Sequence, residues 1–571
     1  MFNQKTKISN QNSQIGYLIG GGLRDSFRVR LTVDPLTVQE GAFVVIESGN
    51  YLFYGLVTDL QLGATDERFA DEQSDRLPSV VTKALRGQTL YTNLDVLPAL
   101  MLDRGPEPGS PGYDIWVRQI GDRIPKPIPV KTVPPHHAQV RLANEGDIAE
   151  IFGDPTADGN FVIGYTREQG HPVCINLDRF IQRSSGVFGA TGTGKSFLTR
   201  LTLAGLMQRG QASVLVLDMH NEYGFDDVAS DTKQNVIGLK TKFKSRVNVV
   251  GLGAGATIRG QVPDFNLELA MSDISSSDIE MLTRELNLKE TTPTTLNALY
   301  TSFRADWFRH FKEMNRDEVE VADEKGKTRR VPHPGSVAAW ANENGVNVAA
   351  AEGLHDKLRR LFSMPYIVEK PAADSVAQII TALEGGKHVI LSFGEHESDL
   401  DYLLVSNLLT RRIRSAWERK TNEFRTHGKS EPRPLIIVVE EAHKLMNREI
   451  ASQTAFAVIA RELRKYYVTL LIVDQRPSQI YDEVMSQLGT RISGWLGDED
   501  DIHAVLSGLS GRDALRGMLS RLQPKEEVLL LGWGVPMPLP IRSRRYDETF
   551  WKELLGSKRS DAQAIKDLGF A

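Results

Sequence analysis

Cysteine is almost missing: Cys174 is the only one in 571 residues. An intrachain disulfide and a cysteine-rich metal site are therefore excluded. Long apolar runs are missing too. No uninterrupted apolar stretch approaches the ~20 residues that a bilayer-spanning helix needs, so no membrane span is expected. Met1 to Gln14 is polar and lacks the apolar core of a signal peptide, and cytoplasmic residence is the expectation. Charge of one sign is also lacking. With 68 Lys and Arg against 73 Asp and Glu, the formal net charge is −5. That balance gives no support for nucleic-acid binding. It does not exclude it either, because a basic channel can lie within an acidic exterior. The 12 histidines are scattered, and His136-His137 reads as linker packing rather than a metal pair. No internal repeat is visible. The apolar and charged fractions, 41% and 25%, are those of an ordinary folded protein, and the length allows several domains.

What is present is sharper. Gly189, Ala190, Thr191, Gly192, Thr193, Gly194, Lys195 and Ser196 spell G-A-T-G-T-G-K-S, a phosphate-binding loop. Val187-Phe188 leads in as a strand, and a helix-compatible run from Phe197 to Met207 leads out, with Gly210 as its stop. Such a loop turns backbone N–H groups and the positive end of a helix dipole toward phosphate. Glycine is required where a side chain would block that approach. Lys195 is expected to reach the β- and γ-phosphates of ATP, and Ser196 to hold Mg²⁺.

A second half follows downstream. Leu435 to Val439 is a short apolar run, as in a strand buried on both faces of a parallel sheet. Glu440 and Glu441 stand at its C-terminal end, where open α/β sheets bind ligands. Glu440 is expected to orient Mg²⁺ through water, and Glu441 to polarise the attacking water. Ser213 to Asp218 and Thr469 to Asp474 read as two more strands. After the first, Asp218 and Glu222 either reach the nucleotide or a neighbouring subunit, or cap a loop. After the second, Gln475 sits where a polar sensor would touch the γ-phosphate. Between them, Ile459 to Tyr466 reads as a helix placing Arg461 and Arg464 on adjacent turns, with one of them a candidate arginine finger. Arg491 is the fallback. Lys240, Lys242, Lys244 and Arg246 alternate around Phe243, as either a phosphate-contacting segment or a solvated strand face.

F-G-A-T-G-T-G-K-S, L-D-M-H-N-E-Y, V-V-E-E-A-H, I-A-R-E-L-R-K and D-Q-R-P-S, in this order, resemble the HerA family within the HerA–FtsK group of hexameric DNA-pumping ATPases. Pro134 to His137 is similar to the family's stretch leading into its ATPase domain. Glu440, where Asp is usual, is the clearest departure. The resemblance implies a small N-terminal β-barrel followed by a RecA-like α/β P-loop ATPase core with a helical insertion. It implies ATP and Mg²⁺ as cofactors, a homo-hexameric ring and double-stranded DNA as the track. It also implies a nuclease or other effector partner in DNA-end processing or anti-phage defence, with Arg464 or Arg461 acting on a neighbour's ATP. A membrane-anchored pump is not expected. The alternative is a nucleotide-bound scaffold ring in which hydrolysis only regulates. A DEAH-type helicase, which Glu440 to His443 also evokes, is disfavoured because too little chain follows for a second helicase lobe.

The expected organisation is a barrel over 1–123, a proline-rich linker over 124–145, a first core part over 146–264, a helical insertion over 265–385, a second core part over 386–545 and a helical tail over 546–571. In the barrel, Phe27, Val29, Leu31 and Val33 alternate with polar residues, and Glu47 to Asn50 joins two apolar strands as a hairpin.

Overall fold

A computed structural model describes residues 14–23, 25–65, 90–121, 125–228, 233, 235–322, 328–451, 454–509 and 511–556, without the side chains of 322, 457 and 461–464. The expected tail lies largely outside these residues. Contacts divide the chain into two units. One holds residues 1–177, 189–194 and 490–544; the other holds 178–188, 195–489 and 545–571.

The first unit begins with a barrel of six strands: β1 (Gln14–Gly21), β2 (Phe27–Leu31), β3 (Phe43–Ser48), β4 (Tyr51–Ala64), β5 (Leu90–Asp103) and β6 (Gln139–Leu142). The order is β2-β1-β6-β3-β4-β5, and β2 pairs back with β5 (Phe27 opposite Val96), which closes the sheet. Closure removes the exposed edges that a small open sheet would leave. The period-two pattern is realised: Phe27, Val29 and Leu31 point into a core with Val44, Phe53, Val57, Leu94 and Val140, while Arg28 faces out. The barrel does not end at residue 123. Gln139–Leu142 fills the place between β1 and β3, with Val140 fully buried. Ile128–Pro129 pairs along β5. The expected linker thus carries two short strands, masked in the sequence by the prolines around them. Arg141 locks the end of β6, donating to Asp147 (2.6 and 3.1 Å) and Glu47 (2.7 Å).

The same unit contains β7 (Asn160–Thr166), β8 (Pro172–Asn176), β16 (Thr490–Ser493), β17 (Glu527–Gly532) and β18 (Leu539–Ser543), all antiparallel in the order β16-β17-β18-β7-β8. Residues 490–544 therefore group with the barrel rather than with a second core part. Glu40 binds them, accepting from Arg521 at 2.9 Å.

The second unit is built on seven parallel strands. They are β9 (Ser185–Phe188), β10 (Ser213–Asp218), β11 (Val247–Leu252), β12 (Phe265–Leu267), β13 (His388–Ser392), β14 (Leu435–Glu440) and β15 (Val468–Asp474), in the order β12-β11-β13-β10-β14-β15-β9. Every residue of β9, β10, β13, β14 and β15 is buried, which explains their unbroken apolar sequences. Helix α1 (Lys195–Arg209) follows the glycine loop. Helix α2 (Asp399–His427) starts at a Ser398 cap and stops at Gly428 in the left-handed conformation. Helix α3 (Ala455–Glu462) precedes β15.

Between β12 and β13 the chain forms the helical insertion. Its helices Thr292–Phe303, Trp307–Glu313, Val337–Glu343 and Val348–Phe362 pack Trp307, Phe308, Phe311 and Trp340 into a core of their own. The charged stretch around residue 320 is a hairpin, Glu318–Ala322 with Thr328–Pro332.

Candidate functional site

Parallel strands bring their C-terminal ends to one edge, and register fixes which residues meet there. Phe188, the last residue before the glycine loop, pairs with Asp474. Glu440 pairs with Val473, so Glu441 leaves the sheet level with Asp474. Leu217 pairs with Val439, which brings Asp218 level with Glu440.

The loop has the backbone its glycines were expected to allow. Gly192 and Gly194 have φ of +77° and +92°, a region a side chain strongly disfavours. At Gly189 a Cβ would come within 2.7 Å of the Thr193 hydroxyl. That hydroxyl donates to Ala190 O at 2.7 Å, and the Ala190 N–H donates to Trp495 O at 3.0 Å. Ala190 therefore shapes the loop rather than offering its amide to phosphate. Thr191 lies between these tethers, and Phe197 stands half out of the first turn of α1.

Lys195 and Ser196 open α1. Lys195 Nζ lies 3.7 Å from Glu441 Oε1, and Gln475 Nε2 donates to Glu441 Oε2 at 3.1 Å. Two of the expected residues, from two separate segments, thus converge on the carboxylate of a third. Glu441 has φ of +44°. For a non-glycine residue that conformation costs about 1–3 kcal/mol and is retained where the surroundings over-determine it.

Glu440 is placed differently. Its Oε1 accepts the Tyr223 hydroxyl at 2.6 Å, and its main-chain oxygen accepts the Tyr402 hydroxyl at 2.6 Å. Burial, reinforced by Asp218 and Glu222, pushes its carboxyl well above the usual range. Burial and Glu440 likewise hold the two phenols far above theirs, so both remain donors. Glu440 Oε2 is buried without a partner. A hard cation is the natural complement of such an oxygen, so Glu440 fits a Mg²⁺ ion. Asp218 resolves as a loop cap: it accepts the N–H groups of Glu222 (2.7 Å) and Tyr223 (3.1 Å) and the Ser392 hydroxyl (3.1 Å).

Sequence reasoning missed His443, Asp474, Tyr223 and Tyr402. Asp474 is fully buried and accepts the main-chain N–H groups of His443 (2.7 Å) and Arg476 (2.6 Å). The available signal was the strand-end rule: Asp474 ends an apolar run as Glu440 does.

The arginines fare unevenly. Arg461 lies in α3, but Arg464 falls in a 3₁₀ turn, Leu463–Tyr466, so the two do not share one continuous α-helix; their side chains lie outside the described residues. Arg491 is buried and donates to Val505 O and Ser507 O (2.7 Å), which removes it as a finger. The segment from Lys240 to Arg246 is a short helix and turn rather than a strand. Lys240 pairs with Asp264 at 2.7 Å, Lys242 with Glu548 at 3.2 Å, and Arg246 caps Met207 O at the end of α1. These cations are largely spent inside the fold.

A glycine loop between strand and helix, with paired carboxylates and a polar sensor on neighbouring parallel strands, defines a RecA-like P-loop ATPase. Residues 161–413 match the family model described as the central domain of the helicase HerA. The "DNA double-strand break repair helicase HerA" of Saccharolobus solfataricus is 23% identical over 559 residues, covering 95% of this chain and 94% of that protein. The protein of the same name from Sulfurisphaera tokodaii is 24% identical, covering 93% of each. Among solved structures, the plasmid coupling protein TrwB with an ATP analogue matches at 13% identity and a TM-score of 0.45, over 71% of this chain and 93% of that one. The chain is thus similar to these HerA helicases over most of its length. No described helix is long and apolar enough to cross a membrane.

Proposed function

We propose that this ATPase drives movement along double-stranded DNA as a homo-hexameric ring, working with a nuclease or other effector in DNA-end processing or anti-phage defence. The observation that carries the chemistry is the convergence of Lys195 and Gln475 on Glu441. Lys195 neutralises charge on the transferring phosphoryl group, Glu441 accepts the proton of the attacking water, and Gln475 holds both Glu441 and the γ-phosphate end of the nucleotide in line. Ser196 and Glu440 would hold Mg²⁺, Glu440 through water, and the ion would neutralise charge on the phosphate oxygens. Gly192 and Gly194 let the backbone approach the phosphates. Arg464, or failing it Arg461, reaches the site of the neighbouring subunit. The DNA assignment draws on the helicase relatives.

The test is ATP turnover with and without double-stranded DNA, alongside electron micrographs of the purified protein. Rings whose turnover rises with DNA support a translocase. Rings indifferent to DNA support the scaffold reading, and a monomer that ignores DNA removes both.

A further inference from the structure

We propose that His443 and Asp474 form a positioning pair that sets the carboxylate of Glu441 for water activation. The inference rests on the reading of Glu441 as the residue that polarises the water.

The Asp474 carboxylate sits at the end of β15, fully buried, and holds His443 twice. It accepts the His443 main-chain N–H at 2.7 Å, and its two oxygens lie 3.0 and 3.1 Å from His443 Nδ1. A carboxylate facing an imidazole nitrogen at that distance places the proton on Nδ1. The same Nδ1 lies 3.6 Å from Glu441 Oε2. Glu441 Oε2 therefore accepts from Gln475 Nε2 at 3.1 Å and packs against the edge of the His443 ring, whose Nδ1 proton is turned to Asp474, while Oε1 faces Lys195. Lys195 and Gln475 thus each present a donor to this carboxylate, one to each oxygen. Together they fix one rotamer on a backbone that is itself held at positive φ.

Glu441, His443 and Asp474 offer ligand atoms within 4.8 Å of one another. Asp474 has already committed its oxygens to the N–H groups of His443 and Arg476, so the cluster is a hydrogen-bonded support rather than a metal site. An outer partner that orients a reacting group commonly contributes about 10–100-fold to activity. His443 does not touch the phosphate in this scheme. It acts through Glu441.

The experiment measures kcat and KM for ATP, and binding of a fluorescent ATP analogue, in His443→Ala, His443→Asn and His443→Gln, each alone and combined with Glu441→Gln. Removing the imidazole leaves Asp474 its two backbone donors, so His443→Ala is expected to fold, and a thermal melt checks this. The expected result is a kcat lowered by roughly 10–100-fold in His443→Ala, with KM and analogue affinity unchanged. Asn places an amide N–H near the position of Nδ1 and should restore most of the rate. Gln, whose amide matches Nε2, should not. On the Glu441→Gln background the His443 substitutions should cost nothing further. Equal rates in the Ala and Asn variants, a raised KM at normal kcat, or multiplicative losses in the double variants would each overturn the pair. If His443→Ala does not fold, the difference between Asn and Gln decides alone. A Glu441→Gln protein that turns over at the wild-type rate would instead remove the reading of Glu441 on which the pair depends.

Discussion

Lys195, Glu440 and Glu441 are proposed to carry different chemistry, and single substitutions separate the roles. Lys195→Ala removes the loop's cation and should abolish turnover while leaving the fold intact; turnover within a few-fold of wild type would contradict its role. Glu441→Gln keeps the shape of the side chain and loses the acceptor, so ATP should bind and persist. Glu440→Gln should instead weaken the dependence on Mg²⁺, and a Glu440→Gln protein that traps ATP beside a fast Glu441→Gln protein would reverse the two assignments. Glu440 also has a pH signature. Its folded-state carboxyl is raised, chiefly by burial. Its contribution to stability is then full below the ordinary carboxylate range and falls as pH rises through the raised value. Thermal melts in chelator should show wild type losing stability over that rise, with Glu440→Gln losing less. Identical pH profiles would show that Glu440 is not held in this way.

At the scale of elements, α2 is the brace of the site. Asn407, buried in α2, accepts the Ala455 N–H that opens α3 at 3.0 Å and donates to Asp278 in the first turn of the insertion at 3.0 Å. Near its other end Arg425 donates to Lys465 O at 2.6 Å, just past Arg464. The segment bearing both candidate finger residues is thus clamped at its two ends by one helix. Asn407→Ala leaves an amide donor and a buried carboxylate short of partners and should cost about 1–3 kcal/mol in a denaturant melt; a loss within error would show the clamp to be incidental.

The sheet was legible in the sequence because its central strands are buried on both faces and read as short, mostly apolar runs, several of them ending in a polar residue such as Asp218, Glu440 or Asp474. Glu441 and Gln475 could be named from that rule, and Lys195 from the glycine-loop motif. His443 and Asp474 could not be paired in advance, because a hydrogen bond between a strand end and the turn after a neighbouring strand depends on register. The strand at Gln139–Leu142 was hidden by the prolines before it, since their stiffness resembles that of a linker. The strand reading of Lys240 to Arg246 failed because alternation over a few residues does not separate a strand from a short helix whose cations are paired.

At the scale of the whole molecule, the proposed assembly is a ring whose subunits complete one another's sites. A finger supplied in trans is worth roughly 10³–10⁵ in rate in other nucleotide hydrolases, and it ties firing to assembly. Arg464→Ala and Lys195→Ala proteins should each be inactive, and mixing them should restore part of the activity, because some intact sites then face an intact arginine. Arg464→Ala rings with normal turnover would pass the role to Arg461. The measurement that tests the central claim most directly is displacement of a third strand from a DNA triplex. The wild-type protein should strip that strand from the duplex only with hydrolysable ATP, and Lys195→Ala should leave it in place. Vigorous, DNA-stimulated hydrolysis without displacement, or displacement by Lys195→Ala equal to wild type, would contradict an ATP-driven translocase.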